Sequence, residues 1–256
     1  MSDLAEFVRQ GDPDRHAATL AAPEPARAKL WPLYAFNLEI ARAPWVTQEP
    51  MIAEMRLQFW ADVLDEIAEG KAPRAHEVAA PLSVVWREAG LPVALGHAMI
   101  DARRRDIYKE PFADAAELGA HLDATSGNLM WLAALALGAD TNAQGPVRDM
   151  GFAAGLGNWF QAVPELTARG HHPLPDPGDQ AIAALARDGL TRLRRARAAR
   201  GTVAGDLGAV LLAGWQAGPV LSLAASQPQI VRDGGLALSE FSKRGRLLLR
   251  ALAGRW

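Results

Sequence analysis

Cysteine is absent from this chain of 256 residues. That absence excludes disulfide scaffolds, thiol catalysis, and zinc or iron–sulfur sites that need thiolate ligands. An excess of charge is also lacking, since the formal net charge is −2, and we therefore expect no nucleic-acid partner bound by bulk electrostatics. Valine, isoleucine and threonine are scarce, at 27 residues together against 51 alanines. Because alanine favours helices and β-branched residues favour strands, the composition predicts an all-α fold.

Prolines and glycines divide the chain into segments of helical length, and no segment shows the period-two alternation of strands. Asp12-Pro13, Asp114 with Glu117, and Asp176-Pro177 are typical of helix N-termini. No long linker is present, so residues 1–256 are expected to form a single domain of about ten helices. The main predicted helices span residues 24–43, 50–70, 75–89, 92–108, 114–138, 146–169, 178–200, 203–224 and 237–253.

Two segments bear on where the protein resides. Leu207 to Ala225 has no charged residue, but its glycines, proline and polar side chains favour a buried core helix over a membrane span. Met1 to Gln10 carries two acidic residues and no long apolar run, so we expect no signal or transit peptide and a cytoplasmic location. The basic, leucine-containing stretch from Lys243 to Arg255 suits either peripheral contact with a bacterial inner membrane or packing against the core.

Three motifs follow one another along the chain: L-Y-A-F-N-L-E-I-A at Leu33 to Ala41, R-L-Q-F-W at Arg56 to Trp60, and G-F-A-A-G-L-G-N-W-F-Q-A-V-P-E-L at Gly151 to Leu166. With the shorter stretches Asp12 to Arg15 and Ile100 to Asp106, their order resembles the squalene/phytoene synthase family. The resemblance implies an isoprenoid-synthase fold, in which helices surround a central apolar cavity and two aspartate motifs face each other across its mouth. In active members those aspartates hold magnesium ions that bind a prenyl diphosphate.

Neither aspartate motif is present in this chain. The resemblance places the aspartates of the first motif on Ala41, Arg42 and Trp45, and those of the second on Ala162 and Leu166. Magnesium prefers oxygen ligands, and none of these side chains supplies one. We therefore expect no metal and no cofactor. Eight other positions in the motifs are candidates for the cavity mouth, none with a catalytic role: Tyr34, Asn37, Glu39, Arg56, Gln58, Asn158, Gln161 and Glu165.

The pattern Y-A-F-N-x-E-x-A is similar to one branch of the family, that of the mitochondrial assembly factor for respiratory complex I. This resemblance implies a non-catalytic protein that assists assembly of a membrane respiratory complex, with a complex subunit or another assembly factor as its partner. One alternative is a prenyl transferase for head-to-head condensation, with magnesium on relocated ligands such as Glu39 and Glu165. A metal-free form of it would need inward-facing arginines, for which Arg42, Arg56 and Arg103 are the candidates. The other is a protein that binds an isoprenoid or another lipid in the cavity.

Overall fold

The computed structural model describes residues 3–203, 205–237, 239–254 and 256. All regular secondary structure in these ranges is helical, which confirms the predicted all-α class. A π-helical segment, Asp123–Gly127, joins two of the α-helices. The α-helices are α1 (Asp3–Gly11), α2 (Pro13–Thr19), α3 (Glu24–Arg42), α4 (Pro50–Ala68), α5 (Ala79–Glu88), α6 (Val93–Tyr108), α7 (Ala115–Leu122), α8 (Asn128–Ala136), α9 (Gln144–Ala168), α10 (Asp179–Ala198), α11 (Gly208–Leu212), α12 (Ala217–Ser226), α13 (Gln229–Asp233) and α14 (Glu240–Leu252).

Several helices begin where the sequence signals predict. The Asp12 carboxylate accepts a hydrogen bond from the Arg15 backbone N–H at 2.9 Å at the start of α2. Asp114 caps α7 in the same way, accepting from the Glu117 N–H at 2.9 Å. The prediction at Asp176-Pro177 was wrong: α10 starts at Asp179, and Asp176 instead accepts the Gly178 N–H within the preceding turn.

Two predicted helices are interrupted in the structure. The segment 114–138 contains the π-helical turn between α7 and α8. The segment 203–224 is broken between α11 and α12, where Pro219 lies in the first turn of α12. A proline has no N–H to donate to the preceding turn, and its ring would clash with the backbone carbonyl there. The helix therefore ends at α11 and begins again as α12. These breaks bring the described part of the chain to more helices than the ten expected.

Gly208–Ser226 is the one stretch of the described chain whose length and composition would allow it to cross a membrane. More than half of its most apolar window, 56%, is buried inside the fold. Leu211 and Leu221 are fully buried, and Trp215 between the two helices is buried as well. The stretch therefore packs as part of the core, in the way that the sequence favours.

Helix α9 lies at the centre of the fold and contacts the π-helical segment at backbone distance. A Cβ atom added at Gly151 would lie 2.9 Å from both the Ser126 carbonyl oxygen and the Gly127 Cα. One added at Gly155 would lie 2.6 Å from the Ser126 side chain. Only glycine permits this approach, so the G-x-x-x-G spacing of the third motif has a packing reason. The contact fixes the wall of the cavity described below.

We predict that Gly151→Ala lowers the free energy of unfolding by about 1–3 kcal/mol, because the methyl group would press on backbone that cannot move aside. Gly145→Ala, in the same helix, is the matched control: no heavy atom lies within 4 Å of its added Cβ. That variant is expected to be neutral or slightly stabilising. Chemical denaturation of both variants measures the difference, and equal stabilities would contradict the close-contact explanation.

Candidate functional site

A cavity of about 480 Å³ opens between α3, α6, the π-helical segment and α9. Asn37 and Ala41 face it from α3, followed by Trp45 in the turn after that helix. Asn158 and Ala162 face it from α9, and Leu166 follows at the same spacing. Residues four apart share one face of a helix, so each motif presents one row of side chains to the same space. The cavity is open space that side chains do not fill.

All four aspartate-motif positions without a charged side chain, Ala41, Trp45, Ala162 and Leu166, line this cavity. The magnesium ions implied by the family resemblance do not fit here, because these side chains offer no oxygen ligand. Carboxylates do reach the cavity from other positions, but each has an arginine against it. The pairs are Asp12 with Arg15, Asp106 with Arg103, and Glu165 with Arg169. No cluster of three or more potential metal ligands occurs in the described chain.

The mouth of the cavity is bridged by side chains. The guanidinium of Arg169, at the C-terminal end of α9, lies 5.3 Å from the centroid of the Trp45 ring. The His171 ring lies 4.7 Å from the same indole. Arg169 also pairs with Glu165 one turn earlier. The Trp45 indole attracts both the Arg169 guanidinium and the His171 ring. These contacts join the C-terminal ends of α3 and α9 without a bound metal ion.

The deep end of the cavity contains a buried ion pair between Arg103 and Asp106. The Arg103 Nη1 lies 3.4 Å from the Asp106 Oδ2, and Asp106 is 9% exposed. Burial raises the pKa of the Asp106 carboxyl above its usual value, and the positive charge of Arg103 opposes that rise. The Arg103 Nε is buried and has no hydrogen-bond partner within the described chain. A donor left unpaired in this way could serve a bound anion or a polar group.

His121 forms the neighbouring part of the wall. Its ring packs edge-on against Phe112 and Trp159, at centroid distances of 5.4 and 5.2 Å. Burial lowers the pKa of its imidazole to about 3, and the charges of Arg103 and Arg105 act in the same direction. The Nε2 atom is buried without a described partner. Near pH 7 the ring is therefore neutral, and it offers a polar atom but no charge.

Arg15 supplies the second cation of the wall. Its Nε donates to Asp12 at 2.8 Å, and its guanidinium lies 5.1 Å from the Tyr34 ring centroid. Burial raises the pKa of the Tyr34 phenol to about 12, so this group stays protonated beneath the arginine. The cavity wall thus combines apolar side chains with fixed guanidinium groups, and it is less apolar than the family resemblance implies.

The eight candidate residues do not all reach this cavity. Asn37, Asn158 and Glu165 line it, and Gln161 lines an adjoining space of about 220 Å³ that shares Arg15 and Asn158. The other four lie elsewhere and correct the expectation of one cavity mouth: Tyr34 is buried in the core, Glu39 is half-buried on α3, and Arg56 and Gln58 are exposed on α4. Helix α4 buries Leu57 and Trp60 instead, which turns the positions beside them towards solvent.

Four residues that shape the cavity were not among those candidates: Arg15, Arg103, Asp106 and His121. They come from α2, α6 and α7. Arg15, Arg103 and Asp106 lie in the shorter stretches that match the family, but no role at the cavity was assigned to Arg15 or Asp106 there. The i, i+3 spacing of Arg103 and Asp106 is also typical of a solvated helix face. Of the arginines considered for a relocated site, Arg103 faces the cavity, Arg56 is exposed and Arg42 lies over Phe7 at 4.9 Å.

Comparison with known proteins identifies the family of the chain. A profile of the squalene/phytoene synthase family matches residues 8–228. The NADH dehydrogenase (ubiquinone) complex I assembly factor 6 of Bos taurus is 28% identical over 171 residues, which are 66% of this chain and 51% of that protein. The Homo sapiens protein of the same name is 26% identical over 62% of this chain and 48% of its own length. The chain thus spans about half the length of these curated relatives.

Two solved structures are similar over most of their length. A dehydrosqualene synthase matches with a TM-score of 0.78 and 15% identity, over 98% of this chain and 94% of that one. A squalene synthase from Alicyclobacillus acidocaldarius matches with a TM-score of 0.75 and 14% identity, over 88% and 93% of the two chains. These likenesses confirm the expected isoprenoid-synthase fold.

The buried histidine predicts an acid-sensitive stability. Unfolded, the His121 imidazole titrates near 6.5, whereas in the folded chain its pKa is about 3. Between these values the unfolded state binds a proton that the folded state does not bind. The free energy of unfolding therefore falls as the pH drops from about 6.5 towards 3. His121→Phe should reduce that loss. Thermal unfolding at a series of pH values measures it, with the exposed His172→Phe as control; equal slopes for all three proteins would refute a role for His121.

Proposed function

Because this chain belongs to the squalene/phytoene synthase family but has no carboxylate at the family's metal-ligand positions, we propose that it is a non-catalytic member. We further propose that it acts in the assembly of respiratory complex I. The observation that carries the first part is the pairing of each cavity carboxylate with an arginine. The observation that carries the second is the naming of relatives from cattle and humans as complex I assembly factor 6.

The charges that the reaction needs support the proposed lack of catalysis. Condensation of prenyl diphosphates requires divalent cations that neutralise a leaving diphosphate as negative charge develops on it. Asp12, Asp106 and Glu165 each already contact an arginine, so a metal would have to compete with a guanidinium at each of them. Two fixed arginines, Arg15 and Arg103, could attract an anion. They supply no ligand set for the cations that ionise the substrate.

The contacts at the cavity mouth also support the proposed assembly role. With Trp45, Arg169 and His171 joining α3 to α9, the mouth is held together by the chain itself and does not require a substrate or a metal. A preformed surface of this kind suits recognition of a protein partner, since binding then costs little reordering. The partner proposed is a subunit or another assembly factor of the respiratory complex.

Deletion of the gene in its own organism tests the assembly role. We expect the rotenone-sensitive NADH:quinone oxidoreductase activity of membranes to fall, because assembled complex would be scarcer, while squalene and carotenoid contents stay unchanged. Complementation with the intact gene should restore the oxidoreductase activity. Loss of isoprenoids with normal complex I activity would instead assign the protein to isoprenoid synthesis.

Incubation of the purified protein with farnesyl or geranylgeranyl diphosphate and magnesium tests catalysis directly. We expect neither a condensed product nor release of diphosphate, because the cavity has no free carboxylates to hold the metal. An active dehydrosqualene synthase in the same assay is the positive control. A condensed product that depended on magnesium would defeat the proposal and support relocated ligands.

A further inference from the structure

Helix α14 packs on the rest of the fold by a narrow inner face. Leu247 and Ala251 contact a small cluster formed by Ala18, Leu212 and Trp215. The opposite face carries exposed leucines: Leu248 is 59% exposed, Leu249 69% and Leu252 78%. The free-energy cost of exposing apolar surface to water rises with the exposed area. Three neighbouring exposed leucines on one helix face therefore indicate a surface that another structure covers.

Basic side chains border this leucine face. With 100° of rotation per residue, Arg244 falls on one side of the leucines, and Arg246 and Arg250 fall on the other. Arg255 continues the basic stretch in the sequence but lies outside the described residues. Apolar residues flanked by arginines along one helix are typical of helices that lie in a membrane interface.

A cluster of arginines extends the basic side of α14. Arg197 at the end of α10 and Arg200 in the turn after it lie close enough to Arg250 for their charges to interact. The pKa values of Arg197 and Arg250 are lowered, first by burial and then by the neighbouring guanidinium charges. None of Arg197, Arg200, Arg246 and Arg250 forms a salt bridge with a carboxylate that the structure describes.

Some polar atoms of this cluster lack partners altogether. The Arg197 Nη2 and the Arg200 Nε are buried and make no hydrogen bond to the described chain. Arg200 is held in place by its Nη2, which donates to the Trp256 carbonyl oxygen at 2.9 Å, and by the Trp256 ring 4.7 Å from its guanidinium. Like charges held together with unpaired donors are stabilised by an anion, and phosphate accepts several such donors at once.

We propose that α14 and this arginine cluster form a docking face for a membrane surface rich in anionic phospholipid. Leu248, Leu249 and Leu252 enter the acyl boundary, and Arg246 and Arg250 bind lipid phosphates. The inference stands on the geometry of α14 and does not depend on the proposed assembly role. An acidic protein would match the charge equally well, but an exposed row of aliphatic side chains on one helix face suits the fluid interior of a bilayer.

Co-sedimentation of the full chain with lipid vesicles tests the proposal. We expect binding to vesicles containing phosphatidylglycerol, weakening with added salt, and little binding to vesicles of phosphatidylcholine alone. Replacing Arg246 and Arg250 by glutamine should weaken the affinity about fivefold for each arginine removed. Leu249→Gln with Leu252→Gln should weaken it about tenfold or more, because two buried leucines are lost from the bilayer.

The control variants lie on α4, away from α14. Met51→Gln replaces a residue that is 75% exposed, and Arg56→Gln removes an exposed charge, so together they match the leucine and arginine variants in chemistry. The α14 variants should fold normally, because the leucines are exposed and loss of Arg250 removes a repulsion between like charges. Melting temperatures no lower than that of the unchanged protein establish this. Equal binding to neutral and anionic vesicles would overturn the proposal. So would unaltered binding by the α14 variants, or binding of polyglutamate with no binding to vesicles.

Discussion

The cavity depends on the contact between α9 and the π-helical segment at backbone distance. Because Gly151 and Gly155 have no side chains, Ser126 and Gly127 of the π-helical segment lie directly against the backbone of α9. An ordinary α-helical turn at 123–127 would project its side chains on a different register, since a π-helical turn inserts an extra residue. The same face of α9 continues from Gly155 through Asn158 and Ala162 to Leu166, and this part of it faces α3 across an open space. The cavity is the space between α3 and α9 that this packing leaves unfilled.

The mouth shows how a metal site can be replaced without changing the fold. Metal ions bridging two helices hold them at a set distance, and removing the ligands would leave that mouth unsupported. Here Trp45 occupies one former ligand position and contacts Arg169 and His171 from the α9 side. The positive charge in the site comes from guanidinium groups that are permanently protonated. The two sides of the mouth are thereby joined, and the site carries positive charge, without a carboxylate at these positions.

Composition and periodicity were sufficient for the helical class and for most helix positions, because helix signals are local. The motif spacing also placed Ala41, Trp45, Ala162 and Leu166 correctly around one cavity, since residues four apart share a helix face. Local patterns made Arg103 a candidate for an inward-facing arginine, but they did not show that Arg15 and Arg103 line the same cavity. Arg15 and Arg103 reach the site only through the tertiary packing of α2 and α6. Arg56 and Gln58 were misplaced for the converse reason: a motif can be retained because alternate residues such as Leu57 and Trp60 pack the core.

The arginine partners of the cavity carboxylates have a consequence for the history of such a chain. Restoring a single aspartate at Ala41 or Ala162 would add one carboxylate to a space already furnished with guanidinium groups, and the new group would pair with those. Recovery of the ion site therefore needs concerted replacement of the missing acids, of Trp45, and of arginines that now hold the mouth together. A metal site at these positions would therefore need several coordinated substitutions, whereas any single one would add a carboxylate beside arginines that can pair with it.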